Sequence, residues 1–124
     1  MNQRSVKISA YEVIYDLSPK LKTLEKQVNG TLHAMVASGQ TAEEKARVEK
    51  LKIEFELELM MIDMNLKHLF QRYQHELAAV AKDDRQEIYL TLDEHEATAI
   101  QNAKTLYQRV QALELSSILV YGRK

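Results

Sequence analysis

The most constraining feature of this sequence is a run of forty-two residues, Thr41 to Lys82, that contains neither glycine nor proline. Such a run favours one long helix, on the order of 60 Å at about 1.5 Å per residue. The middle of this run is apolar on two opposite sides of the helix. A helix with two apolar faces must be covered twice, once by the core and once by another helix, a second copy or a partner protein.

Three apolar stripes with steps of three and four residues follow one another along the chain, the spacing of helical hairpins and coiled coils. The first is Leu17, Leu21, Leu24, Val28, Leu32 and Met35. The second is Val48, Leu51, Phe55, Leu59, Ile62, Leu66, Leu69, Tyr73, Leu77 and Val80. The third is Ile88, Leu92, Ala99, Ala103, Leu106, Val110 and Leu113. The pattern predicts an all-α protein, a single helical domain over residues 1–124 folded as an elongated three-helix antiparallel bundle or coiled-coil hairpin.

Local signals predict where these helices begin and end. Three pairs have the spacing of a capping box, in which two side chains satisfy free backbone amides: Ser9 with Glu12, Thr41 with Glu44, and Asp84 with Glu87. Pro19 indicates a second helix start or a kink in the first helix. Asn29-Gly30 is a weak point within the first stripe, and Gly39 is suited to end that helix.

An α+β fold is the alternative. Residues 53–59 alternate apolar and acidic side chains, which is the period of a strand. No turn residues bound this segment and the helical stripe passes through it, so we interpret it as helix. Residues 86–92 and 117–121 are also strand-like, and they form the minor alternative of short strands.

Composition excludes several classes of protein. Lys plus Arg is 17 and Asp plus Glu is 18, so the net charge of −1 shows no basic excess of the kind typical of nucleic-acid binders. Cysteine is absent, which removes disulfides, thiolate metal sites and cysteine nucleophiles. No segment has the roughly 20 apolar residues of a membrane span or the apolar core of a signal peptide. We therefore expect a cytoplasmic protein with no membrane association.

No residue pattern points to catalysis, to a metal or to a cofactor. None of the four histidines belongs to the Glu-x-x-His pairs of di-iron bundles or to the His pairs of zinc helices. His68, Arg72 and His75 fit a solvated polar rim beside the apolar stripe. The acids of the segment from Asp93 to Glu96 fit the first turn of a helix, where they complement its dipole. We expect a protein that is not an enzyme.

The second apolar face of the long helix is the candidate binding site. It consists of Ile53, Leu57, Met60, Met61 and Met64, here called the apolar patch. The simplest interpretation is that the first and third helices cover both faces of the long helix. The alternative is an exposed surface for a protein partner or a homodimer, for which flexible methionines are suited. The sequence thus favours a small interaction protein, such as an adaptor, a chaperone-like protein, an assembly subunit or an inhibitor.

A nucleic-acid-associated regulator, or a small subunit of a nucleoprotein complex, is the second hypothesis. Its candidate contacts are the clustered basic residues Lys20, Lys22, Lys26, Lys45, Arg47 and Lys50. An antiparallel hairpin would keep the first three apart from the last three. Aromatic residues lie on or beside the apolar stripes and do not alternate with these lysines as base-stacking residues would. A nucleic-acid role is therefore possible but not favoured.

Overall fold

The computed structural model describes residues 6–38 and 41–121, with side chains described for residues 6–35 and 41–115. These residues are mostly helical, with one small two-stranded sheet. In chain order the elements are β1 Val6–Ser9, α1 Ala10–Glu12, a π-helical turn π1 Val13–Leu17, α2 Ser18–Lys26, a second π-helical turn π2 Gln27–Thr31, α3 Leu32–Ser38, α4 Ala42–Arg72, α5 Gln74–Lys82, β2 Tyr89–Leu92 and α6 Glu94–Tyr121. The prediction of a helical protein is confirmed, and the sheet is an addition to it.

Elements α1 to α3 and the two π turns form one continuous helical run over residues 10–38. The backbone at each junction up to Leu32 remains in the right-handed helical region. The Ser9 hydroxyl accepts a hydrogen bond from the Glu12 amide at 3.0 Å, so the predicted helix start is confirmed. The turn π1, which is wider than an α-helical turn, ends at Leu17, two residues before Pro19. Pro19 cannot donate a backbone hydrogen bond. The predicted cap at Gly39 lies outside the described residues.

The second π turn places polar side chains against α6. Gln27 is 8% exposed and exchanges two hydrogen bonds with Gln111, at 3.0 and 2.6 Å. It also donates to Glu114, whose other carboxylate oxygen accepts from Thr31 at 3.1 Å. The weak point predicted at Asn29-Gly30 therefore coincides with a widened turn whose polar residues fix how this run packs on α6.

The long helix has the predicted start and an unpredicted break. The Thr41 hydroxyl accepts from the Glu44 amide at 3.0 Å. The prediction of an uninterrupted helix to Lys82 is wrong, because α4 ends at Arg72 and the backbone of Tyr73 leaves the helical region (φ −113°, ψ 26°). The Tyr73 hydroxyl bonds to both the N–H and the C=O of Thr91 on β2, each at 3.2 Å. The break ties the end of α4 to β2 and lets α5 pack against α1.

The sheet pairs the beginning of the described chain with a strand more than eighty residues later. β1 and β2 are antiparallel, with Val6 opposite Leu92 and Ser9 opposite Tyr89. The strand that the alternative placed in residues 86–92 is therefore present, whereas residues 117–121 are helical and their strand prediction is wrong. The helix start predicted at Asp84 is also wrong, because residues 83–88 are not helical and α6 begins at Glu94.

The three predicted stripes meet in one hydrophobic cluster. α4 packs against α3 and α6, and α2 also packs against α6. The largest fully buried apolar side chains are Leu17, Leu24, Leu32, Phe55, Leu66, Leu69, Leu90 and Leu106. Leu90 and Leu92 of β2 point inward while Tyr89 and Thr91 point outward, so the sheet closes one end of this core.

Candidate functional site

The apolar patch lies on the solvent side of α4. Its five side chains are exposed as follows: Ile53 50%, Leu57 54%, Met60 53%, Met61 64% and Met64 67%. Within the described part of the chain, neither the first helical run nor α6 covers these side chains. At about 1.5 Å per residue, the patch extends about 16 Å along the helix.

The opposite face of the same helix segment is buried. Phe55 and Ile62 are each 2% exposed, Leu59 is 7% exposed and Leu66 is fully buried. These four residues supply the core, so the contacts with α3 and α6 account for one face only. The two-sided pattern of the sequence therefore corresponds to one buried face and one exposed face.

A groove runs along one side of the patch, between the first helical run and α4. Its volume is about 620 Å³. Its lining residues are Glu25, Val28, Asn29, Glu56, Leu59, Met60, Asp63, Met64 and Lys67. Met60 and Met64 thus belong both to the patch and to the wall of the groove, which makes the groove and the patch one continuous surface.

A smaller groove, of about 320 Å³, lies on the other side, between α4 and α6. Met61 and Ile62 of α4 supply its apolar part, and Thr98 and Asn102 of α6 line it as well. Met60 and Met64 therefore border the larger groove, and Met61 borders the smaller one. Methionine is unbranched and polarizable, which lets such a surface adapt to the shape of a partner.

All charged residues within the span of the patch, residues 53–64, are acidic. They are Glu54, Glu56, Glu58 and Asp63. Lys52 binds Glu56 at 2.7 Å, and Arg109 of α6 binds Glu58 at 3.3 Å. Burial, and secondarily the nearby Glu25, raise the pKa of Asp63. Among the described residues, Glu54 and Asp63 have no ion pair or hydrogen bond from a side chain.

A second polar cluster lies where α4 ends, and the sequence pattern did not reveal it. Glu96 is 1% exposed and binds Arg72 through both carboxylate oxygens, one of them at 2.8 Å. Arg72 also donates to the Thr91 carbonyl at 2.8 Å and lies over the Tyr73 ring. The interpretation of Arg72 as part of a solvated rim is therefore wrong, because its charged end is bound to a buried carboxylate.

Asp93 and Glu96 form a complete capping box at the start of α6. The Glu96 amide donates to Asp93 at 2.7 Å, and the Asp93 amide donates to Glu96 at 2.9 Å. Burial would raise the pKa of Glu96, but the hydrogen bonds from Arg72, from the Asp93 backbone and from His68 outweigh it and hold the pKa below its usual range. The sequence did contain the Asp93–Glu96 spacing, but the partner Arg72 is twenty-four residues away and gives no local signal.

This cluster also contains side chains of the kinds that bind metal ions. His68, Asp93 and Glu96 offer ligand atoms that lie within 4.8 Å of one another. The Arg72 guanidinium, however, already forms an ion pair with the Glu96 carboxylate. The hydrogen bond to Glu96 raises the pKa of Arg72. We therefore interpret the cluster as a structural ion pair that joins α4, β2 and α6.

The basic residues of the second hypothesis lie in two separate places. Lys20, Lys22 and Lys26 are on α2, and Lys20 binds Asp16 at 2.9 Å and lies over the Tyr107 ring. The other three, Lys45, Arg47 and Lys50, are exposed on the first turns of α4. Because α3 packs on α4 and Glu25 of α2 shares a groove with Asp63, the first helical run and α4 are antiparallel. The two basic groups therefore do not form one surface.

Comparison of the chain with protein-family models, with curated proteins and with solved structures finds no match. In the part of the chain that the structure describes, no helix combines the length and the apolar character needed to cross a membrane.

Proposed function

We propose that this chain is a non-enzymatic protein–protein interaction protein, which acts by binding a partner protein through the apolar patch of α4. An adaptor, a chaperone-like protein, an assembly subunit and an inhibitor are roles of this type. The single observation that carries the proposal is the exposure of five neighbouring apolar side chains, each at least 50%, on a helix whose opposite face is fully packed. Contiguous exposed apolar surfaces on monomers commonly mark interaction sites.

The other helices of the chain would support α4 and hold its exposed face in place. An elongated three-helix antiparallel arrangement, in a single domain over residues 1–124, would present α4 as a rigid helix face to a partner in the cytoplasm. Helix-face recognition relies on apolar anchors spaced three and four residues apart, and Ile53, Leu57, Met60 and Met64 have this spacing. Met61 widens the surface toward α6.

The nucleic-acid hypothesis has less support. Its two basic groups lie on different elements, α2 and the first turns of α4, and one of its lysines is already bound to an acidic neighbour. A protein surface that binds along the nucleic-acid backbone must be continuously positive, so that it can displace the counterions of several phosphates. The acidic residues on both sides of the apolar patch would repel phosphates from this exposed face of α4.

Affinity capture from host lysate, in nuclease-treated and untreated halves, tests the proposal. We expect the tagged wild-type protein to capture one stoichiometric partner in both halves, and Met60→Glu/Met64→Glu to lose it while remaining helical by circular dichroism. Gln101→Glu/Gln108→Glu adds the same two charges at exposed positions of α6 and serves as the matched control. Capture that the patch variant retains would contradict the proposal, and capture that depends on nucleic acid would support the second hypothesis.

A further inference from the structure

The charges around the apolar patch bear on which partner can cover it. Four acids and no base lie within residues 53–64. Glu54 and Glu58 lie on one side of the stripe, and Glu56 and Asp63 lie on the other side, at 100° per residue. A helix laid along the stripe would therefore meet a row of negative charge on each side of its apolar contacts.

A second copy of this chain is a poor fit for this surface. In a parallel pairing of two copies, the side that carries Glu54 and Glu58 in one copy would face the opposite, equally acidic side of the other copy. In an antiparallel pairing centred on the stripe, equivalent sides would meet, so Glu58 would approach Glu58 of the other copy and Glu56 would approach Asp63. Both arrangements place like charges together beside a desolvating contact, which disfavours association.

The groove beside Met60 and Met64 also favours a positively charged occupant. Its floor is apolar, with Val28 and Leu59, and its acids are Glu25, Glu56 and Asp63, against the single base Lys67. Lys52 neutralises Glu56. Glu25 and Asp63 have no ion pair or hydrogen bond from a side chain among the described residues, and Glu25 contributes to the raised pKa of Asp63. A cation placed between these two carboxylates would relieve their repulsion.

We propose that the occupant of this surface is a basic amphipathic helix of another protein, which lays an apolar stripe on Ile53, Leu57, Met60 and Met64 and inserts a lysine or arginine between Glu25 and Asp63. This inference rests on the proposed function, because it requires the apolar patch to be a binding surface. The lysine or arginine stem can pack against the apolar floor of the groove while its charged end reaches the carboxylates. The acidic rows set the partner's charge, and the methionines adapt to its shape.

Three synthetic helical peptides of about eighteen residues test the inference against the full chain. They share one leucine stripe with heptad spacing and differ in the flanking positions, which carry lysine and arginine, glutamine, or glutamate. Fluorescence anisotropy measures their binding. We expect the basic peptide to bind about tenfold more tightly than the glutamine peptide, as one or two well-formed charge pairs would give, and the glutamate peptide to bind most weakly.

Two variants separate this inference from the proposed function. Glu25→Gln/Asp63→Asn is expected to weaken the basic peptide about tenfold and to leave the glutamine peptide unchanged. Met60→Gln/Met64→Gln removes apolar surface without adding charge, and is expected to weaken both. A scrambled peptide with the same basic composition controls for charge alone, and its binding must be far weaker.

The outcomes are distinct. If basic and glutamine peptides bind equally and both lose affinity in Met60→Gln/Met64→Gln, the surface binds protein but the inference about charge is overturned. If no peptide depends on the methionines, the inference and the assignment of the patch both fail. If the wild-type chain sediments as a dimer that the methionine variant dissociates, the occupant is a second copy and the inference is overturned.

Discussion

The guanidinium of Arg72, on the last turn of α4, holds the buried carboxylate of Glu96, on the first turn of α6. Because Arg72 also bonds to the Thr91 carbonyl, one side chain connects two helices and a strand at the point where the long helix ends. This ion pair holds the start of α6 against the end of α4, beside the apolar core that packs the two helices together.

The two partners of this ion pair are expected to have unequal effects on stability. Arg72→Ala leaves a carboxylate that is 1% exposed without its counter-charge, and we expect a loss of about 3–5 kcal/mol in the free energy of unfolding. Glu96→Gln leaves the Arg72 side chain, which is 35% exposed, with a charge that water can solvate, and we expect a smaller loss of about 1–2 kcal/mol. Urea unfolding of the two variants measures both values. Equal losses would show that the burial of Glu96 does not determine the energy of the pair.

The lowered pKa of Glu96 gives a defined pH dependence. Because the pKa in the folded protein lies below the unfolded value of about 4.3, the contribution of this carboxylate is complete above the unfolded pKa and is lost as the pH falls through the folded pKa. The difference in free energy of unfolding between the wild type and Glu96→Gln should therefore shrink as the pH falls below about 4. Parallel urea titrations from pH 7 to pH 3 measure it, and a constant difference would contradict the assignment.

The two faces of α4 should respond differently to truncation. Leu66 is fully buried, and Leu66→Ala should cost about 2–5 kcal/mol because it leaves a cavity in the core. Leu57 is 54% exposed, and Leu57→Ala should change the free energy of unfolding by no more than about 0.5 kcal/mol. Because both variants replace a leucine of α4 by alanine, each serves as the control for the other. A large loss from Leu57→Ala would place that side chain in the core and remove it from the patch.

Gly30 is a position where a larger residue should stabilise the protein. It lies in π2 with helical backbone, no described glycine has a positive φ, and a Cβ atom at Gly30 would meet nothing within 4 Å. Gly30→Ala should raise the free energy of unfolding by about 0.4–1 kcal/mol, because alanine restricts the unfolded chain. Thermal unfolding measures it, and a decrease would show that π2 requires glycine for a reason other than space.

The apolar stripes were sufficient to predict the helices and the core, because helix packing is encoded in spacing that repeats every three to four residues. All six residues of the first stripe are buried, and the caps at Ser9 and Thr41 are formed as their local spacing indicates. The same spacing indicated a second apolar face on α4, but spacing alone could not show that its side chains are exposed and not covered by another helix.

The features that were missed depend on partners distant in the sequence. β1 is a four-residue strand that, among the described residues, pairs with β2 alone, so nothing within Val6–Ser9 indicates it. The break at Tyr73 depends on bonds to Thr91, and the role of Arg72 depends on Glu96. Such contacts override the strong helical propensity of the segment around Tyr73, and no local pattern reports them.

Site-specific photo-crosslinking in living host cells tests the central claim most directly. A benzophenone amino acid replaces Met61, whose side chain is 64% exposed in the apolar patch, and in a control protein it replaces the exposed Gln101 on α6. If the patch binds a partner protein, irradiation should give one discrete heteromeric adduct from position 61 and none from position 101. No adduct from position 61, or the same adduct from both positions, would contradict the claim that this face of α4 is the binding surface.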